Sequence, residues 1–199
     1  MAEWLKAHAW NACVGKPTVG SNPTLSAILF VERIKLKVLV SGCVFGRPVR
    51  WNGSDRNNDL LKVWAEKEGI ELIPVCPEDE LFGTPRSTIR LEQIQGTEIV
   101  VGKMNGKDIY RSLMDKCFEI YERDREVVGF IGISGSPSCG ISVGVKGRGS
   151  TMKAPMHLQA RVPTTEISSL KSEKNREIFL RRIKKHKKDR LWTTMFTLA

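Results

Sequence analysis

The chain has 199 residues, 41% of them hydrophobic, which is enough for one domain with a sizeable core. No apolar stretch approaches the length of a membrane span, and the amino terminus lacks a secretory signal pattern, so we expect a cytoplasmic protein without a membrane partner. The net charge of +10 would favour a polyanionic partner. However, residues 171–190 alone carry ten basic and three acidic side chains, a local charge of +7. The remaining +3 is an ordinary net charge for a soluble domain.

Residues 1–33 contain scattered Gly and Pro and show neither helical nor alternating apolar spacing. This composition predicts a disordered leader in front of the folded domain. Another interpretation is that this segment is the translation of a transfer-RNA gene, because residues 2–7 and 20–23 match translations of typical D-arm and T-arm sequences. Translation would then begin near Val31 or Leu36, and the first cysteine of the chain would have no role. Mass spectrometry of the native amino terminus distinguishes the two interpretations.

Two strands and one helix are predicted at the start of the domain. Residues 34–41 form an apolar run of strand length, rich in β-branched side chains and closed by Gly42. Residues 70–75 form a second such run. Between them, residues 58–67 place apolar side chains at helical spacing, namely Leu60, Leu61, Val63 and Trp64.

The next part of the chain repeats this alternation. A third strand is predicted over residues 97–102 and a further strand over residues 127–133. Strands that alternate with helices are typical of an open parallel α/β sheet. The helix between these two strands covers residues 109–125, and its apolar stripe is Ile109, Leu113, Cys117, Ile120 and Tyr121.

Three cysteines follow predicted strand ends, and each has Gly, Pro or Ser beside it: Cys43, Cys76 and Cys139. Because sites in parallel sheets gather beyond the carboxyl ends of the strands, we expect these thiols to converge on one rim. Their small neighbours allow the backbone to approach a bulky ligand closely. Cys117 lies instead on the apolar stripe of a helix, which predicts a small core residue.

Several ligands are compatible with three thiols in a reducing compartment, where disulfides are disfavoured. Zinc normally takes four Cys or His ligands with a pair close in sequence, whereas gaps of 32 and 62 residues separate these cysteines. The histidines, including His157, are expected to lie outside the core that holds the cysteines. A [4Fe–4S] cluster fits better, because three cysteines hold three irons and leave the fourth open. Three unrelated core thiols are the remaining alternative.

A set of short motifs follows a specific order along the chain. They are VLVSGC at residues 38–43, IPVCPE at 73–78, TPR at 84–86, GKD at 106–108 and SPSCG at 136–140. In this order and at these separations they resemble the TudS-like 2-thiouracil desulfidase family. Residues 51–53 depart from it, since Trp-Asn-Gly stands in place of Tyr-Asp-Gly. The resemblance covers a little over half of the chain.

The resemblance implies a fold, a cofactor and a site. Family members have a Rossmann-like α/β domain with a [4Fe–4S] cluster on three cysteines, and its fourth iron takes the sulfur removed from a thiocarbonyl base. We therefore expect a Rossmann-like open, mostly parallel sheet with flanking helices, in a single domain with irregular N- and C-terminal extensions. The matching residues are Cys43, Cys76 and Cys139 as ligands, Glu78 as the catalytic glutamate, and Ser136 or Ser138 as the catalytic serine.

The residue types suit this chemistry. Glu78 can act as general acid or base, although by itself it is equally well explained as a carboxylate at a helix amino terminus after Pro77. A serine hydroxyl can orient the ring or relay a proton. Three arginines near the motifs are either ordinary surface residues or anchors for a base carbonyl or a nucleotide phosphate, namely Arg47, Arg50 and Arg86.

The expected activity is hydrolysis of the C–S bond in a thiolated pyrimidine of the 2-thiouracil or 4-thiouridine type. The substrate partner would be a small-molecule base or nucleotide, or thiolated RNA. One alternative keeps the cluster and changes the sulfur-transfer reaction. Another alternative is a basic RNA-binding protein with structural cysteines.

The carboxyl-terminal part of the chain departs from the family. We place the desulfidase domain at residues 34–150, because residues 151–165 show no clear pattern, and a divergent basic extension at residues 151–199. The basic residues of this extension either form a solvated face or bind RNA. A helix is predicted over residues 171–189, with a narrow apolar stripe of Ile178, Phe179 and Ile183.

Overall fold

The structure is a computed structural model, and it describes residues 35–95, 97 and 100–197. The predicted leader over residues 1–33 lies outside the described residues. Nine strands are defined within them, and the sheets they form position the site. The strands are β1 (Leu36–Ser41), β2 (Ile70–Val75), β3 (Arg90–Gln93), β4 (Val100–Met104), β5 (Lys107–Asp108), β6 (Gly129–Gly132), β7 (Val143–Lys146), β8 (Thr151–Met152) and β9 (Thr164–Glu166).

The described residues also form six helices, and a single 3-10 turn at Ser169–Lys171 precedes the last of them. No helix within the described residues is both long enough and apolar enough to cross a membrane. The helices are α1 (Gly42–Phe45), α2 (Asp59–Lys67), α3 (Pro77–Phe82), α4 (Tyr110–Arg123), α5 (Pro155–Leu158) and α6 (Glu173–Thr197).

The strands form two sheets. The first sheet has the order β2-β1-β6-β9, and all of its neighbours are parallel. The second has the order β5-β4-β3-β7-β8 and is antiparallel except between β3 and β7. The predicted α/β class with a mostly parallel sheet and flanking helices is therefore confirmed. The strand predicted over residues 97–102 was misplaced, because it is β4 of the second sheet.

Helices cover both faces of the first sheet. Alternate side chains of a strand point to opposite faces, and β1 shows this directly. Val38 and Val40 pack with apolar residues of α2 and α6, whereas Leu39 packs with residues of α4 and α5. The central strands β1 and β6 are thus buried on both sides, as their continuous apolar sequence indicated.

The predicted apolar stripe of α2 was only partly right. The helix begins after Asn58, whose side chain accepts a hydrogen bond from the Leu61 amide at 2.8 Å. Leu61 and the residue one turn later are buried, but Leu60 and Val63 are 82% and 65% exposed. Because α2 packs on the sheet mainly along edge strand β2, a single i, i+4 seam is covered.

The segment after residue 150 completes the first sheet. β9 pairs in parallel with β6, although no periodic pattern marks residues 151–165. The predicted C-terminal helix is present as α6, and its Phe179 and Ile183 are buried as predicted. Ile178 is exposed instead, because the helix contacts the core along a narrower line than the stripe implied.

Candidate active site

The three predicted cysteines lie at the carboxyl ends of three adjacent strands. Cys43 follows β1 within α1, Cys76 immediately precedes α3 after β2, and Cys139 lies in the loop after β6. Because these strands are parallel neighbours, their ends share one edge of the sheet. All three cysteines line one cavity of about 270 Å³.

Cys43 and Cys139 are buried, Cys76 is half-buried, and no described cysteine forms a disulfide. Burial raises the pKa of Cys43, although the nearby Arg50 acts in the opposite direction. Burial also raises the pKa of Cys76 to about 11 and raises the pKa of Cys139. The thiols are therefore protonated at neutral pH unless a bound cation compensates for their desolvation.

Cys117 differs from the other described cysteines. It is fully buried on α4, where it packs against Phe130 and Ile120 of the core. It is not among the described residues that line the cavity. The structure thus places it where a small core residue was predicted.

Glu78 lies in the first turn of α3, and its buried carboxylate lines the cavity. Its Oε1 accepts a hydrogen bond from Ser138 Oγ at 2.6 Å. Its Oε2 accepts hydrogen bonds from Nη2 and Nε of Arg86, at 3.0 and 3.3 Å. The carboxylate is therefore fixed from two sides by side chains outside α3, and capping of a six-residue helix does not explain these contacts.

Arg86 joins Glu78 to the wall of the cavity. Its side chain is 4% exposed, and it also donates hydrogen bonds to the carbonyl oxygens of Val49 and Gly83, at 3.0 and 3.1 Å. Its Nη2 lies 3.9 Å from Cys76 Sγ. Arg86 is thus a buried partner of the glutamate, and the interpretation as a surface arginine was wrong for this residue.

The other two arginines of the sequence analysis occupy different positions. Arg50 lines the cavity and donates a hydrogen bond to Ser54 Oγ at 3.3 Å. Arg47 is exposed and donates to the Pro74 carbonyl oxygen at 3.3 Å. It is not one of the described residues around the cavity. The structure therefore brings Arg50 and Arg86 to the cysteines and leaves Arg47 outside.

The loop after β6 carries Cys139 and both candidate serines. Ser136 Oγ accepts a hydrogen bond from the Cys139 amide at 3.2 Å and lies 3.1 Å from Ser138 Oγ. Ser138 Oγ donates to Glu78 and lies 3.4 Å from Cys139 Sγ. The Ser138 hydroxyl therefore connects the carboxylate to a thiol, whereas the Ser136 hydroxyl shapes the loop.

His157 contacts the loop that carries Cys139, although this histidine was expected to lie outside the core. It is buried on α5, its Nε2 lies 2.9 Å from the Cys139 carbonyl oxygen, and its ring packs against Phe130. The expectation was wrong because α5 packs against α4 and directs the histidine inward. A lone histidine in a segment without apolar periodicity gives no sequence signal for this role.

Glu166 fixes both ends of the same loop. It is the last residue of β9, and its buried carboxylate accepts a hydrogen bond from Ser134 Oγ at 2.8 Å. The same carboxylate accepts a hydrogen bond from the Ile141 amide at 2.5 Å. The residues of the loop between these two contacts include both serines and Cys139. The sequence analysis missed Glu166, because its role depends on a strand that was not predicted.

The hydroxyl of Ser41, at the end of β1, lies buried in the cavity wall. Within the described part of the chain its Oγ has no hydrogen-bond partner by distance and angle. It lies beside Cys139 and lowers the pKa of that thiol, against the larger effect of burial. A buried polar group without a partner costs about 1–3 kcal/mol. The hydroxyl is therefore positioned to donate a hydrogen bond to a group bound in this cavity.

Gly132 shows how closely the cysteine loop packs on the sheet. A Cβ at this position would lie 2.0 Å from the Cys139 carbonyl oxygen and 2.7 Å from His157 Nε2. We expect Gly132→Ala to destabilise the protein by about 1–3 kcal/mol, because the backbone of the loop would have to move. Urea denaturation measures this change.

Gly144 provides the matched control for that substitution. It also lies in a strand, β7, but a Cβ there would meet no atom within 4 Å. Gly144→Ala is therefore expected to change the free energy of unfolding by less than about 1 kcal/mol. Equal destabilisation by the two substitutions would contradict the close packing of the loop.

Comparisons with known proteins place the fold and the family. No curated protein matches this sequence. A solved structure, the [4Fe-4S]-dependent thiouracil desulfidase TudS, matches with a TM-score of 0.53 and 22% sequence identity, over 69% of this chain and 94% of that chain. At this identity the match shows a shared fold.

The sequence profile of the 2-thiouracil desulfurase family matches residues 38–174. The matched segment contains the three cysteines of the cavity, Glu78 and the complete loop after β6. The resemblance found in the sequence is confirmed, and this chain belongs to the 2-thiouracil desulfurase family.

Proposed function

We propose that this protein is a [4Fe–4S]-dependent desulfidase that hydrolyses the C–S bond of a thiolated pyrimidine. One observation carries the proposal: three thiols from three parallel strand ends line a single cavity beside a buried carboxylate. Family membership supports the reaction type. The matched TudS protein is itself a [4Fe-4S]-dependent thiouracil desulfidase, which supports the same cofactor and substrate class.

The cavity suits a cluster better than a single metal ion. Among the described residues, no group of three or more His, Cys, Asp or Glu side chains is arranged to bind one ion. In a cubane each thiolate binds a different iron, so its ligands stand farther apart. Cys43, Cys76 and Cys139 would hold the cluster, and the orphaned Ser41 hydroxyl supports a bound group beside them. The fit of the donors supports the cofactor.

When bound, a cluster held by three thiolates supplies an open iron as a Lewis acid and as the acceptor of the departing sulfur. The overall reaction replaces C=S with C=O, consumes one water and releases hydrogen sulfide. The oxidation states of carbon and sulfur do not change, so no external electron donor is required. The protein must therefore orient the base and transfer protons.

We assign proton transfer to Glu78. The water loses protons as it adds to the thiocarbonyl carbon, and the leaving sulfur gains them. The Glu78 carboxylate can accept and return a proton, and the Ser138 hydroxyl, 2.6 Å away, can relay it toward the cavity. Arg86 fixes the carboxylate in this orientation through its two hydrogen bonds.

Arg50 and Trp51 are the residues that we assign to the base itself. Both line the cavity, and the Trp51 side chain is partly exposed at its mouth. The guanidinium can donate hydrogen bonds to a pyrimidine carbonyl oxygen, and the indole offers a flat apolar face for the ring. This arrangement suits a planar heterocycle of the 2-thiouracil or 4-thiouridine type.

Anaerobic reconstitution tests the function. We expect a brown protein with about four irons and four acid-labile sulfides per chain, as a single cubane requires. It should release sulfide from 2-thiouracil or from 4-thiouridine, and parallel assays of the two compounds show which form is the substrate. A colourless protein without iron would contradict the cofactor. An iron-loaded protein that releases sulfide from neither compound would contradict the activity.

A further inference from the structure

The strongest concentration of charge in the described chain is on α6. Residues Glu173–Thr197 include nine Lys or Arg and three Asp or Glu. The family match ends at residue 174, so nearly all of α6 lies beyond it. We propose that the outer face of α6 binds the phosphodiester backbone of a nucleic acid. This surface is separate from the cysteine cavity and does not depend on the function proposed for that cavity.

The inner face of α6 is already occupied by the domain. Phe179 and Ile183 are buried, and a Cβ at Gly129 would lie 2.8 Å from Ile183 Cγ2. Farther along, Lys187 and Arg190 donate hydrogen bonds to backbone carbonyl oxygens just before β1 and β6, at 3.4 and 3.1 Å. The helix therefore lies along the sheet and runs from the edge with the cysteines toward the opposite edge.

The outer face carries a row of cations. With 3.6 residues per turn, Arg181, Lys185 and Lys188 lie on the side opposite Phe179 and Ile183. All three are exposed, and none is in an ion pair among the described residues. Like charges one turn apart on a helix destabilise it. A polyanion along this face would relieve that repulsion.

The position of the row indicates the kind of ligand. These cations lie along the middle of α6, and none of them is among the described residues that line the cysteine cavity, so a small substrate there does not need them. A membrane surface is disfavoured, because a helix that lies on lipid presents a continuous apolar face. The exposed apolar residues of α6 are instead scattered among charged side chains, namely Ile178, Leu191 and Trp192. A row of unpaired cations matches the regular phosphates of RNA or DNA.

Fluorescence anisotropy with the full chain tests this proposal. The probes are a labelled single-stranded RNA and a labelled duplex DNA of equal length, titrated at several salt concentrations. The triple variant Arg181→Glu, Lys185→Glu, Lys188→Glu is expected to raise Kd at least tenfold. For the RNA, loss of three phosphate contacts should reduce the slope of log Kobs against log salt by about 2. Tighter binding of either probe by the unsubstituted chain identifies the preferred polymer.

The matched control reverses three exposed lysines elsewhere, Lys67→Glu, Lys107→Glu and Lys153→Glu. It changes the net charge equally, and we expect a much smaller rise in Kd. The proposal is overturned if both triple variants weaken binding equally, since net charge would then explain it. It is also overturned if neither probe binds at low salt, or if anionic phospholipid vesicles bind more tightly than both. Iron content and sulfide release should stay unchanged in the α6 variant, which separates this result from a failure of the desulfidase proposal.

Discussion

Replacing Cys139 by alanine is expected to abolish cluster binding, so that the reconstituted variant contains almost no iron or acid-labile sulfide and releases no sulfide from a thiopyrimidine. Two thiols would remain in the cavity, and one more iron would lose its protein ligand. Burial raises the pKa of Cys76, so this thiol returns to its protonated form when the metal is lost. Iron and sulfide assays after anaerobic reconstitution measure the effect. Cys43→Ala and Cys76→Ala should behave in the same way.

Cys117→Ala is the matched control for these variants. Cys117 is as deeply buried as Cys139, but it packs within α4 and does not line the cavity among the described residues. Its replacement removes one sulfur from the core, which is expected to cost about 1–3 kcal/mol of stability and to leave iron content unchanged. Loss of iron from both variants would point to unfolding, and full iron in Cys139→Ala would remove this cysteine from the cluster.

The central strands β1 and β6 of the first sheet were predictable because they are buried on both faces, whereas its edge strand β9 was not predicted. Val38, Leu39 and Val40 are apolar without interruption, so the strand signal does not depend on knowing which face is covered. Apart from β4, the strands of the second sheet gave no such signal. β3 has one buried side chain, Leu91, between polar residues, and its parallel neighbour β7 is equally short. Pairing between distant segments, and not local preference, defines these strands.

The site was predictable where its residues lie next to strand ends. Cys76 and Glu78 follow β2 directly, and the loop with Cys139 follows β6, so topology alone brings them to one edge. The supporting residues could not be found in this way. Glu166 reaches the loop from a strand 25 residues away from Ile141. Its carboxylate has no neighbouring motif, so only the folded chain reveals the contact.

The wrong interpretation of Arg86 has the same origin. An arginine in a polar segment is usually exposed, and nothing near residue 86 indicates burial. In the structure the guanidinium is buried because Glu78 compensates its charge, and two backbone carbonyl oxygens and the Thr84 hydroxyl accept hydrogen bonds from its remaining N–H groups. Such compensation is a property of tertiary contacts, which no single sequence segment contains.

Glu78→Gln is expected to lower the rate of sulfide release by about 10²–10⁴-fold while the iron content stays close to four per chain, since a general acid or base contributes about this factor and a cubane holds about four irons. Glutamine keeps the shape of the side chain and can still accept the hydrogen bond from Ser138, but it cannot take up a proton. The substitution also leaves the buried Arg86 cation without its carboxylate, which is expected to cost about 3–5 kcal/mol of stability. Rates must therefore be compared at a temperature where circular dichroism shows both proteins folded.

Glu80→Gln separates proton transfer from a general effect on α3. Glu80 lies two residues further along the same helix, and its carboxylate pairs with Arg123 at 3.2 Å near the surface. Loss of this exposed pair is expected to cost less than about 1 kcal/mol, with sulfide release near that of the unsubstituted protein. The two substitutions make the same chemical change within one helix turn. The difference between their rates of sulfide release therefore measures the catalytic effect of the carboxylate that lies in the cavity. If Glu78→Gln retains the full rate while folded, proton transfer must be assigned to another group.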